Sequence, residues 1–214
     1  MLSRLAAVFA LLALIPGALV RIGADATLLS PQVKGQLAAS GVESPVTAVL
    51  LNFRSLDTLL EVSVLAAAVI GALALPPPRP PSRDVPPYSL LPTWLIPRMA
   101  PVMGMLVIYL WWAGSSQPGG AFQAGAAFTG LLLLLYFIER PGHALVRRST
   151  GLRLALLGPA VFLAVGALPL LGGAVFLHYP EGLSKAAILT IEAGLTASIG
   201  GALALLATGS GERH

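Results

Sequence analysis

Apolar runs of roughly twenty residues, parted by short polar breaks, recur along almost the whole chain. A run of that length matches a helix rising 1.5 Å per residue through a hydrocarbon core about 30 Å thick. Inside a bilayer the backbone has no water to bond with, so only helices and closed barrels satisfy it. A barrel strand would alternate inward and outward residues over about ten positions, and no such alternation repeats here. The pattern predicts an all-α membrane protein with about six spans, at 2–20, 45–75, 94–114, 121–138, 152–177 and 186–207. Composition agrees: 10% of the 214 residues are charged, against about 25% in soluble domains.

Lysine and arginine in the short loops set the orientation. With the N-terminus in the cytoplasm, the inner side holds nine basic residues: Arg4, Arg79, Arg83, Arg98, Arg140, Arg147, Arg148, Arg153 and Arg213. The outer side holds three, Arg21, Lys34 and Lys185. The bias predicts cytoplasmic N- and C-termini. Trp94 and Tyr136 then mark the inner interface, and Trp111, Trp112 and Tyr179 the outer one. The first run has a rival reading as a signal peptide cleaved near Ala24-Asp25-Ala26. Both readings put residues 27–44 outside.

Eight of the 17 residues from 76 to 92 are proline. Such a stretch favours an extended polyproline spacer. It divides the chain into a two-helix module (1–75), a cytoplasmic linker (76–93), a four-helix module (94–208) and a short tail (209–214).

Several function classes drop out. The net charge of +4 is scattered over separate loops and forms no patch for nucleic acid. There is no cysteine, hence no disulfide, thiolate metal site or iron–sulfur cluster in this chain. His143, His178 and His214 have no ligand-like spacing. No phosphate-cradling glycine motif occurs, and no histidine lies at the depth of Ser115 or Ser116 to make a hydrolase. The reading is a non-enzymatic membrane protein without metal or cofactor.

Charges inside the spans carry the functional information. Ser44-Pro45 is a helix start, a serine cap followed by proline at the first helical position. A continuous helix from there to residue 75 would be about 46 Å long and would tilt or protrude, with Glu61 near its middle. At 100° per residue Arg54, Asp57 and Glu61 share one face. A charge at mid-bilayer costs about 2.5–3.5 kcal/mol on insertion scales, so that face is expected to meet protein or a water-filled path. Arg54 and Asp57 are spaced to pair, which leaves Glu61 without an in-helix partner. This makes Glu61 a candidate proton carrier, with the Arg54–Asp57 pair shaping the field around it; the plainer reading is an ion pair that docks the helix. Glu192, in the last span, is either a second path residue or a hydrogen-bonded helix contact. Beside it, Ala193, Ala197 and Gly201 form a small-residue stripe expected to pack closely on another helix, of this chain or of a different one. Between the third and fourth spans Gln117-Pro118-Gly119-Gly120 signals a tight hairpin, after which Phe122 and Gln123 enter the membrane directly.

The pattern Phe53, Arg54, Asp57, Thr58 and Glu61 resembles the C-terminal part of the large, A-type component of Mrp-type multisubunit cation/proton antiporters. It also resembles the matching small subunit of membrane-bound hydrogenases. The run Pro118, Gly119, Gly120, Ala121, Phe122, Gln123 is similar to the PGGGF signature of the B-type (MnhB-like) component of those antiporters, with Arg98 and the last-span acid Glu192 fitting the same pattern. Ala121 stands where that family favours a third glycine. The resemblance implies one component of a prokaryotic inner-membrane assembly related to the membrane arm of complex I, an assembly that exchanges protons for cations, usually sodium. Its partners would be other membrane subunits, protons, monovalent cations and the bilayer, not nucleic acid. Alternatives are a purely structural scaffold role, or the same module in a membrane-bound hydrogenase or inorganic-carbon uptake complex. No inverted internal repeat suggests a self-sufficient transporter.

Overall fold

The computed structural model describes residues 31, 35–37, 40–75, 94–138, 148–180 and 182–208. The first apolar run, the proline-rich linker and the tail lie outside these. The described residues form α1 (Pro45–Ala48), a π-helical turn (Val49–Phe53), α2 (Ser55–Ala74), α3 (Ile96–Ala113), α4 (Ala121–Ile138), α5 (Arg148–Ala167), a 3-10 turn (Leu168–Gly172) and α6 (Ser184–Thr208). No strand occurs among them. Among the described residues, three segments are long and apolar enough to cross a membrane: α2, the α5 segment Ser149–Gly172, and α6. A shorter apolar helix spans Ala121–Tyr136.

α6 is the hub. Of its apolar stretch, 72% is buried within the chain, against 28% for α2 and for the α5 segment. α5, α4 and α2 surround it, and α3 packs mainly on α4. Ile188, Ile191, Leu195 and Ile199 of α6 make one core with Phe162 of α5, Val62 of α2, Ala121 of α4 and Leu51 of the π turn. Among apolar helices in lipid, association depends on close backbone approach and hydrogen bonds across the contact. The α5–α6 contact uses both. A Cβ added to Gly158 would stand 2.6 Å from the Ser198 Cβ, and the Ser198 hydroxyl donates to the Ala155 carbonyl at 2.6 Å. Within the chain, the close contact uses a different stripe from Ala193, Ala197 and Gly201. Gly201 does meet Leu154 of α5, but its companions are Gly194 against Val161 and Ser198 against Gly158. Ala193 is exposed, and with Ala197 it lines an open groove beside Trp111 and Phe128. The α4 and α5 interfaces fix the rotation of α6, and that rotation turns position 193 outward.

The second span is not one helix from residue 45 to residue 75. The Arg54 amide donates to the Val49 carbonyl at 2.8 Å, an i to i−5 bond, and Arg54 leaves the helical region at φ −128°, ψ 36°. Thr58 bridges the break by donating to the Leu50 carbonyl at 2.6 Å, and Asn52 ties the π turn to the Ser40 carbonyl at 3.2 Å. α2 thus has 20 residues, about 30 Å, which fits a bilayer without excess. Glu61 lies about 9 Å from its start, not at its centre. The fifth span also ends early. The 3-10 turn closes on Gly173 at φ 76°, so the helical stretch stops at residue 172, short of 177.

Candidate functional site

The hairpin between α3 and α4 is built by satisfying the carbonyls that a helix end leaves open. The Leu110 carbonyl accepts from Gly114 at 3.3 Å and from Gly120 at 2.9 Å, and the Ala113 carbonyl accepts from Ser116 and Gln117. The next two carbonyls are taken by residues 43–47. Glu43 and Ser44 amides donate to the Ser115 carbonyl at 3.0 and 3.1 Å, and the Thr47 hydroxyl donates to the Gly114 carbonyl. Ser44 meanwhile caps α1 by accepting from the Thr47 amide. Residues 43–47 are thereby held at the turn. Of the glycines in the motif, Gly120 takes the positive φ, 110°. Gly119 gives close approach, since a Cβ there would stand 2.5 Å from the Leu110 carbonyl oxygen. The absence of a third glycine at Ala121 is of no consequence to this turn, because Ala121 is already the first residue of α4.

Against the inside of this turn lies Glu192. It is the ninth residue of α6, two turns into the helix, and only 3% exposed. Its Oε1 would be 3.2 Å from a Cβ on Gly114 and 3.3 Å from one on Gly120. Side chains at either place would press on the carboxylate; glycine leaves room for it. Among the described residues its buried Oε2 has no hydrogen-bond partner, and neither has the buried Thr196 hydroxyl one turn further along α6. The expectation of a hydrogen-bonded helix contact is thus not met at Oε2. Trp111 of α3 holds the neighbouring turn by donating its indole N–H to the Leu189 carbonyl at 3.0 Å. Tyr179, in the loop before α6, packs on the same core. Its buried hydroxyl is pushed up to about 12 by desolvation, so it stays a neutral phenol at any physiological pH.

The structure joins the hairpin motif and Glu192 into one site, and does not add the other three charges to it. Arg54 and Asp57 pair at 2.5 Å with side chains 71% and 45% exposed. Glu61 is exposed one turn further on, on the side of α2 that faces away from the other described helices. Within the motif, Pro118 and Gln123 are exposed, Gly119 and Phe122 half-buried and Gly120 buried. Thr47, Gly114 and Thr196 escaped the sequence reading. Gly114 stood in plain view at the end of an apolar run, but nothing in one dimension places it against an acid 78 residues away. Thr47→Val is expected to leave the buried Gly114 carbonyl unpaired and to cost about 1–3 kcal/mol, read as a lower melting temperature of the purified protein.

The model of a domain related to the MnhB subunit of Na+/H+ antiporters matches residues 92–205, more than half of the chain. The chain belongs to this family. The MnhB-related region holds α3 to α6, hence both the hairpin and Glu192. A relative from Rhizobium meliloti (strain 1021), described as a probable K(+)/H(+) antiporter A/B subunit, is 29% identical over 122 residues. That match covers 45% of this chain and 12% of the relative, so the matched stretch spans about an eighth of that protein's length. A chain from the structure of the membrane-bound sulfane sulfur reductase, an archaeal respiratory membrane complex, shares the fold with a TM-score of 0.61. It is 23% identical, and the match covers 81% of this chain and 80% of that one. This MnhB-related chain is a multi-pass membrane protein.

Proposed function

We propose that this MnhB-related chain is one component of a multisubunit sodium/proton antiporter in a prokaryotic inner membrane, and that it supplies polar residues to a proton or cation path. The observation that carries the reading is the Glu192 carboxylate, buried two turns inside a membrane-crossing helix with Oε2 unpartnered. An unpaired buried polar group costs free energy, and intramembrane ionisable residues kept at that cost mark ion routes and proton relays. A proton or a dehydrated monovalent cation is the occupant that such a lone carboxylate suits. The glycines at 114 and 120 leave the space in which it sits.

Arg54, Asp57 and Glu61 extend the path reading to the outer side of α2. Their exposure within the chain means that any route along them runs between this chain and a neighbouring one. The chain alone is expected to transport nothing; redox chemistry, if the module is coupled to any, resides in other chains.

The tests are cation/proton exchange assays in vesicles carrying the assembled complex, on Glu192→Gln and Glu61→Gln separately. Both variants are expected to keep the full set of partner chains. Loss of exchange in Glu192→Gln supports the path. Unchanged exchange in both, with the complex intact, leaves a scaffold role and overturns the proposal. Replacing sodium by potassium in the same assay decides the cation, with sodium expected to drive the larger response.

A further inference from the structure

α2 has two unlike sides. Ser55, Thr58, Val62, Ala66 and Val69 are buried where the helix packs on α5 and α6. On the other side Asp57 is half-exposed and Glu61, Val64, Ala68 and Gly71 are exposed. A Cβ added to Gly71 would meet nothing within 4 Å. These positions alternate four and three apart, the spacing that holds one seam against a second helix. Hydrocarbon is a poor neighbour for this seam, because its first turns carry ionisable groups inside an apolar crossing helix.

The charge on the seam says what should cover it. Arg54 and Asp57 neutralise one another. Among the described residues no cation lies within ion-pairing distance of Glu61, so the stretch carries one uncompensated negative charge. A second copy of this chain meeting it across a two-fold axis would set Glu61 against Glu61, like charge on like. We propose that the seam receives a membrane-crossing helix of a different protein of the assembly, and that this helix sets a lysine or arginine against Glu61. The basic group forms a charge-assisted hydrogen bond with the carboxylate. Ala68 and Gly71 let the helix backbones draw close at the other end, so the incoming helix carries its larger apolar side chains there. The inference rests on the reading that the chain works inside a multisubunit membrane assembly.

The test is photo-crosslinking in the complete assembly in its own membrane, with p-benzoylphenylalanine at position 64 and Glu61 left native. The expected adduct joins a different chain of the assembly, at a residue within one helical turn of a lysine or arginine. An adduct to a second copy of this chain, to lipid alone, or to a helix lacking a basic residue within a turn overturns the proposal. A charge swap then tests the pair. Glu61→Lys is expected to lower co-purification of the cross-linked chain by about tenfold or more, and replacing the partner's basic residue with glutamate is expected to restore it. Unchanged co-purification in Glu61→Lys, or no restoration by the swap, overturns the pairing. The outcome is separate from the ion-path reading, which is decided by exchange in Glu61→Gln and Glu192→Gln complexes of normal composition.

Discussion

Glu192→Gln is expected to reduce cation/proton exchange to the background of vesicles that lack the complex, while every partner chain still co-purifies. Glutamine keeps the length and shape of the side chain, so its fit against Gly114 and Gly120 is preserved. What it loses is the capacity to release a proton or hold a negative charge for a cation. The competing view, a structural helix contact, predicts the opposite pattern. An amide never has to bury a charge, so a purely structural site would tolerate glutamine or gain stability from it. Exchange measured by dye dequenching in everted vesicles, next to the melting temperature of the same preparation, separates the two. Normal exchange with a raised melting temperature would remove Glu192 from the path. Glu192→Asp is expected to fall between, since the charge is retained but withdrawn from the glycine turn by one methylene.

The second large effect is on folding. Gly114→Ala places a methyl group 2.5 Å from the Gly120 Cα and 2.7 Å from the Gly120 nitrogen. Both are backbone atoms in a turn already fixed by the Leu110 carbonyl, which binds the amides of Gly114 and Gly120. No side chain can swing aside. The hairpin must open, and with it go the anchors of Glu43, Ser44 and Thr47 at the Gly114 and Ser115 carbonyls. The expected loss is at the upper end of the overpacking range, about 3 kcal/mol, or roughly 6–12 °C in melting temperature for a chain of this size. Gly104→Ala is the control on the same helix. A Cβ there meets nothing within 4 Å, so the substitution is expected to be neutral or to stabilise by up to about 1 kcal/mol through helix propensity. A thermal melt of the purified protein in detergent reads both; equal effects would show that the hairpin is not the constraint.

These two residues differ in how far the sequence exposes them. Glu192 stands out because an acid within an apolar run is costly wherever the helix points. Gly114 does not stand out, because glycine at the end of such a run is common and its necessity lies in what it touches. The same division runs through the rest of the chain. Pro118-Gly119-Gly120 announces a turn from local chemistry alone, and α3 and α4 form the hairpin it implies. The break at Arg54 has no such local mark. It depends on Asn52 reaching Ser40 and Thr58 reaching Leu50, bonds that no helical periodicity records.

Sequence by itself determined the class of the protein: an apolar, helical membrane chain with a glycine turn and a few intramembrane charges. Hydrophobic length and backbone satisfaction leave a chain in lipid few other choices. Only the tertiary structure decided which of those features act together. The rotation of α6 about its axis, set by contacts with α4 and α5, aims Glu192 at the turn between α3 and α4 and leaves Ala193 exposed. The packing of α2 turns Glu61 outward instead. A rotation of one helix is decided by the sum of many side-chain contacts with its neighbours, and that sum exists only once the helices are assembled.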